Sequence, residues 1–279
     1  MNYTKTALLL VILSLLLVWM GSLLGGARGA LIAFMFALVL NGVSYWYSDK
    51  IVLAMYKAHE LERERFNEIY EMVGDLSKNA GIPCPRIYMV ETGVPNAFAT
   101  GRNPEKGVLC LTRGIVELLD KDQIRGVISH ELAHIRNRDT LIMTVTAALA
   151  SAIMLIANMA RWGAILGGFD RNRRDSGNII GLLAVSIIAP MAALLVQLAI
   201  SRSREYGADA TGAKIAGNPL GLASALESMS KVSKRYKFDA APQTAHLFIV
   251  SPLRGSFVAG LFSTHPPTEE RVKRLRSMA

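Results

Sequence analysis

Four stretches of this chain, 7–24, 30–47, 140–160 and 178–200, each run for eighteen residues or more without a charged side chain. Each is long enough to cross the roughly 30 Å hydrocarbon core of a bilayer as a helix. Lipid gives the backbone no partner but itself, so few sequence features restrict a fold as strongly. Charged residues cluster elsewhere, in 49–139 and 201–279. The pattern predicts an N-terminal transmembrane hairpin (1–48), a polar domain in two parts (49–139 and 201–279) and a second transmembrane hairpin between them (140–200).

Only Gly25, Gly26, Ala27, Arg28 and Gly29 join the first two runs, which makes an antiparallel pair. A cleaved signal peptide is the competing reading of 7–24, but the run is long for one and no Ala-x-Ala site follows. Trp46 and Tyr47 fall where an interfacial aromatic belt would sit. Lys50, Lys57, Arg63 and Arg65 follow the second run, whereas Arg28 is the single basic residue between the first two. Positive charge stays inside, so both termini and the polar domain are expected on the cytoplasmic face of a cell membrane. Arg161, Arg171, Arg173 and Arg174 lie between the later two runs and would face outward if that pair spans. Spanning is the preferred reading, with a shallow re-entrant hairpin as the alternative; Pro190 kinks the fourth run.

Of the 279 residues, 51% are apolar and 19% charged, which excludes disorder and a simple soluble enzyme. The net charge of +9 reads as loop charge facing an anionic leaflet rather than a nucleic-acid surface, since no basic stretch is interleaved with aromatics. Cys84 and Cys110 form neither a CxxC pair nor a disulfide framework, which fits a reducing compartment.

Within the polar parts, 57–80 has apolar residues at helical spacing and predicts a helix that Gly81 ends. Short strands are expected at 87–90, 96–101 and 107–111, enough for a small mixed sheet. Asp120 with Gln123 forms a capping-box pattern and opens a helix reaching about Asn137. Asn218-Pro219 opens another, ending near Arg235, and Pro266-Pro267 precedes a basic helix over 268–278.

Residues 130–134 read His-Glu-Leu-Ala-His. A spacing of four puts His130 and His134 on one helical face, where both imidazoles can bind one tetrahedral Zn²⁺. Glu131 beside them suits a general base that takes a proton from the attacking water. Zinc needs a third protein ligand. His134 lies shortly before the third apolar run and Glu205 shortly after the fourth, so an out-and-back excursion returns them to one membrane face. Asp209 is one helical turn from Glu205; one carboxylate can ligate while the other hydrogen-bonds a ligand imidazole. Asp139 either fixes a helix end or joins that outer shell. An oxyanion needs a further donor, for which His265 is a candidate, with Arg271 bracing it or touching the intermediate. His59 and His246 have no partners in the sequence and read as structural or surface residues.

Together these residues resemble the HtpX family of membrane zinc metallopeptidases, relatives of the zinc-type CAAX prenyl protease. The likeness covers nearly the whole chain and rests on PNAFATG (95–101), HELAHIRNRDT (130–140), SRSREYGADA (201–210) and THPPTEERVKRL (264–275), in the family's order. It implies one Zn²⁺ per chain on His130, His134 and Glu205, with Glu131 as catalytic base. It implies that Asn96 and Ala97 lie on an edge strand that pairs with extended substrate, and that His265 and Arg271 hold transition-state and support positions. It also implies cytoplasmic-face cleavage of damaged membrane proteins, in quality control and stress response. The expected fold class is an α+β membrane protein, mainly α-helical with about four transmembrane helices, and a small mixed β-sheet in a zincin-like cytoplasmic catalytic domain. Expected partners are the lipid bilayer and polypeptide substrates, with no nucleic acid. A prenyl-peptide protease and a membrane scaffold with structural zinc are the alternatives. Four apolar runs look too few to enclose the first's chamber, and Glu131 with an open fourth metal position argues against the second.

Overall fold

The computed structural model describes residues 2–143, 152–153, 155, 204–233, 249 and 266–279. The chain divides into two compact units, Met1–Trp46 with Val145–Ala199 and Tyr47–Thr144 with Ile200–Ala279.

The helical run α1 (Asn2–Met55), which belongs to the first unit as far as Trp46, reverses direction at Gly26, where φ is 58°. Asn41 Nδ2 donates to Ser14 Oγ at 3.2 Å across 27 positions, a separation a straight helix would stretch to about 40 Å. The two arms meet backbone to backbone: a Cβ placed on Gly21 would lie 2.5 Å from the Gly29 carbonyl oxygen. Leu13, Leu17 and Met20 on one arm and Ala33 and Ala37 on the other are buried. The remaining faces expose Leu15, Leu31, Ile32, Met35, Val39 and Trp46, so the outside of the hairpin is apolar. Val11–Tyr47, which holds an 18-residue window of mean hydropathy 2.0, is the one stretch among the described residues long and apolar enough to cross a membrane. The expected third and fourth spans, 140–160 and 178–200, lie almost wholly outside the described residues.

The second unit is mostly helical around a small mixed sheet of strands β1 (His59–Glu60), β2 (Arg86–Val90), β3 (Ala97–Thr100) and β4 (Val108–Thr112), in spatial order β1-β2-β4-β3. β2 and β4 run parallel, with Ile87 opposite Leu109, and β3 returns antiparallel on β4, with Phe98 opposite Cys110. Alternation along the strands separates two faces. Ile87, Met89, Ala97, Ala99, Leu109 and Leu111 join the main core, while Val90, Phe98, Val108 and Cys110 pack with Val52.

Helix α2 (Asn67–Ala80) ends on Gly81 in the left-handed region, as its sequence predicts. Its start departs from expectation, because 57–66 are not helical. Lys57 has φ 50°, His59 pairs with Met89, and the Leu61 N–H donates to the Ile87 carbonyl at 3.0 Å. A sheet edge takes these backbone groups before the helical periodicity can use them. After the short α3 (Arg113–Leu118), α4 (Lys121–Arg136) opens on the capping box: Asp120 Oδ1 accepts from the Gln123 N–H at 2.9 Å and Gln123 Oε1 from the Asp120 N–H at 3.2 Å. Residues Gly126 through Ile135 are all buried, so α4 is the central helix of the unit. Around it lie α2, α5 (204–216) and α6 (Pro219–Ser233), and α6 in turn packs on α7 (Thr268–Arg276).

Candidate metal centre

His130 and His134 project from one face of α4 and Glu205 from the described part of α5. What brings the helices so close is Gly212, where a Cβ would stand 3.0 Å from both Cα and N of His130. Glu205, Asp209 and Gly212 follow one another at helical spacing, so this contact turns both acids toward the imidazoles.

The donors converge. His130 Nε2 lies 3.2 Å from His134 Nε2, Glu205 Oε2 3.5 Å from the former, and Glu205 Oε1 3.4 Å from the latter. Each imidazole meets a carboxylate through its other nitrogen: His130 Nδ1 lies 3.0 Å from Asp209 Oδ1 and His134 Nδ1 3.2 Å from Asp139 Oδ2. Those partners place a proton on Nδ1, so each Nε2 turns toward the other and toward the Glu205 carboxylate, the donor set that a divalent cation would take in exchange for protons. Donors about 2.1 Å from a tetrahedral metal stand about 3.4 Å apart, close to the spacing seen here. Charge agrees: four buried acids (Glu131, Asp139, Glu205, Asp209) face two largely buried arginines (Arg204, Arg271), a formal deficit that a divalent cation balances.

Arg271, buried on α7, donates to Asp209 through Nε at 2.9 Å and Nη2 at 2.7 Å, and its Nη1 lies 3.3 Å from Glu205 Oε2. Burial alone would raise the Asp209 pKa; Arg271 and the His130 hydrogen bond outweigh it and hold the carboxyl at about 2. Burial disfavours a charged His134, but hydrogen bonds to Asp139 and Glu205 overcome this and lift its pKa well above the usual value. His130 moves the same way, through Asp209 and Glu205. Glu131 is buried within electrostatic reach of both imidazoles, and burial raises its pKa.

Ala97 opens β3, one of the two edge strands of the described sheet, and Asn96 immediately precedes it. The Asn96 backbone is taken up by Thr112, and its side-chain oxygen accepts the Ile249 N–H. Asp139 sits past the end of α4 against His134, while Asn137 caps the helix. Two features escaped sequence reasoning. Arg204 Nε lies 3.7 Å from Asp139 Oδ1, and Ile249 reaches the centre with no motif around it. His265 and His246 lie outside the described residues. His59 is exposed, 3.4 Å from Glu91.

What this fold and centre define is a metallopeptidase. The chain belongs to peptidase family M48, whose description matches residues 63–279, and it is of the HtpX type. It is 54% identical over 277 residues to the protease HtpX homolog of Desulforapulum autotrophicum, covering 99% of this chain and 89% of that one. Against the protease HtpX homolog of Pyrococcus furiosus the identity is 52% over 278 residues, covering 99% and 96%. Among solved structures, S. mikatae Ste24p is similar in fold, with TM-score 0.55 and 19% identity over 86% of this chain and 57% of that one.

Proposed function

We propose that the protein is an integral-membrane zinc endopeptidase that cleaves misfolded or damaged membrane proteins on the cytoplasmic side, in quality control and stress response. The observation that carries the reading is the convergence of His130, His134 and Glu205 on one point, each imidazole backed by a carboxylate. In this reading 1–48 and 140–200 lie in the membrane and 49–139 with 201–279 form the catalytic domain. The apolar outer face of the α1 hairpin supports the membrane placement, and the basic flank from Lys50 to Arg65 supports the orientation.

His130, His134 and Glu205 would hold the zinc, which supplies Lewis-acid polarisation of a peptide carbonyl and acidifies a water. Asp209 and Asp139 keep each Nδ1 protonated and each Nε2 available for the metal. Arg271 keeps Asp209 ionised. Glu131 accepts the proton of the attacking water on its carboxylate and delivers it to the leaving amine nitrogen. Its burial moves its basicity toward the working pH, as such a shuttle requires. His265 and Arg271 are assigned to the developing oxyanion and its support, and the β3 edge at Asn96 and Ala97 to the extended substrate.

The test is metal analysis and casein cleavage by the detergent-purified wild type beside Glu131→Gln. One zinc per chain in both, with cleavage in the wild type alone, is the expected result. Cleavage by the variant would remove Glu131 from its role.

A further inference from the structure

Two arginines one turn apart on α7, Arg271 and Arg274, meet two residues one turn apart on α5. Arg271 donates to Asp209 through Nε at 2.9 Å and Nη2 at 2.7 Å, and the guanidinium carbon of Arg274 lies 3.7 Å from the centre of the Tyr206 ring. The higher number on one helix meets the lower on the other, so the two helices run antiparallel along this contact. Arg274 is itself held, because its Nε donates to Glu270 Oε1 at 2.8 Å, one turn back on α7. That bond orders the guanidinium, and a planar cation over an aromatic face is attracted to it. Tyr206 directly follows Glu205, the carboxylate of the metal centre. Successive residues of a helix stand about 100° apart around its axis, so ring and carboxylate turn together. The contact at Gly212 sets how near α5 comes to α4, but a residue without a side chain does little to resist rotation of the helix about its axis. Arg271 resists that rotation from within the centre, and Arg274 resists it from the half-exposed flank.

We propose that Arg274, through its stack on Tyr206, is a positioning residue of the metal centre: it fixes the rotation of α5 and with it the aim of the Glu205 carboxylate. The inference rests on the reading of Glu205 as a metal ligand given above. Arg276, on the same helix, supplies the contrast. Its Nη2 donates to Glu227 Oε1 at 2.7 Å and so ties α7 to α6 rather than to α5. Loss of either arginine removes one exposed tether of α7, but only the loss of Arg274 frees the helix that carries Glu205.

The experiment uses the full-length protein in detergent, loaded with zinc or with cobalt(II). Chelator competition gives the zinc affinity, and the visible absorption of the cobalt form reports the geometry of the ligand set. The proteins compared are the wild type, Arg274→Gln, Tyr206→Leu, their double variant, Tyr206→Phe and Arg276→Gln. Arg274→Gln and Tyr206→Leu should each weaken zinc binding by about threefold to tenfold and alter the cobalt spectrum, a smaller effect than direct loss of an orienting carboxylate. The double variant should lose little more than either single one, since both remove the same stack. Tyr206→Phe keeps the ring and should bind zinc as the wild type does. Arg276→Gln should lower the thermal midpoint about as much as Arg274→Gln while zinc affinity and cobalt spectrum stay as in the wild type. If Arg274→Gln and Tyr206→Leu match Arg276→Gln in zinc affinity and cobalt spectrum, the stack is a surface tether alone and the proposal is overturned. Should Tyr206→Leu fail to fold, Arg274→Gln, at a half-exposed position, decides. A wild type that binds neither metal would overturn both this proposal and the reading beneath it.

Discussion

Asp209 is shared between a metal-site imidazole and an arginine: its Oδ1 lies 3.0 Å from His130 Nδ1 and 2.7 Å from Arg271 Nη2. Asp209→Asn keeps the shape but leaves the Arg271 guanidinium buried with its main counter-charge gone. A broken buried pair destabilises by about 3–5 kcal/mol. Loss of an outer carboxylate weakens metal affinity by roughly 10- to 100-fold. Chelator competition and thermal unfolding of wild type and variant should show both effects. An unaltered zinc affinity would mean that Asp209 serves packing alone.

Proton and metal compete for the same nitrogens. The metal-free site raises the pKa of both imidazoles through Asp209, Asp139 and Glu205, so a metal must expel protons that the carboxylates favour. Zinc affinity should therefore weaken by roughly tenfold or more from pH 8 to pH 6, measured by chelator competition. The metal-free protein should show the opposite trend in stability. A histidine whose folded pKa exceeds its unfolded value of about 6.5 stabilises fully below that value and loses the contribution as pH rises through the folded pKa. After stripping with chelator, the thermal midpoint should fall between pH 6 and pH 9. A midpoint that rises over that range would contradict the assigned shifts.

Gly212 sets the distance between the helix of the imidazoles and the helix of the acids. In Gly212→Ala the new methyl would meet His130 main-chain atoms at 3.0 Å, and backbone cannot step aside as a side chain can. Relief requires moving α5, and overpacking of this kind destabilises by about 1–3 kcal/mol. Because Glu205 rides on the same helix, zinc affinity should fall together with the thermal midpoint. Gly207→Ala is the control: nothing lies within 4 Å of its Cβ, and the helix should gain about 0.5–1 kcal/mol. Equal behaviour of the two variants would show that the close approach is not limiting.

The parts of the fold legible in the sequence are those whose signal is local. The Asp120–Gln123 box, the Gly81 stop and the glycine link at 25–29 each act within a few residues, and the helix starts and turn are where those signals put them. Local periodicity misled at 57–66, because a strand edge donated by residues near 87 was a stronger partner than the next helical turn. The HExxH spacing named a metal pair at once, and the bracketing apolar runs pointed to Glu205. Ile249 could not be read this way. Its tie to the centre runs through backbone N–H and C=O groups that every residue possesses, so only the folded chain distinguishes it.

The sequence offered Asp139 for the outer shell but not its pairing with Arg204, since 65 positions separate the two. Arg204 Nε lies 3.7 Å from Asp139 Oδ1, and Asp139 Oδ2 faces His134 Nδ1 at 3.2 Å. Arg138, at φ 59°, turns the chain after α4, and the Thr140 hydroxyl donates to the Gly101 carbonyl at 2.7 Å, so Asp139 is aimed from both sides. Arg204 thus stands beside Asp139 as Arg271 stands beside Asp209: a positive charge next to a carboxylate that orients a ligand imidazole. The pair is buried, so bulk salt screens it little. Arg204→Gln should weaken zinc binding in the same direction as Asp139→Asn. The double variant should lose less than the sum of the two, by about 0.5–3 kcal/mol of coupling. Arg204→Lys, which keeps the charge, should recover part of the loss. Strict additivity in chelator-competition measurements would show that the arginine reaches the metal by some other route.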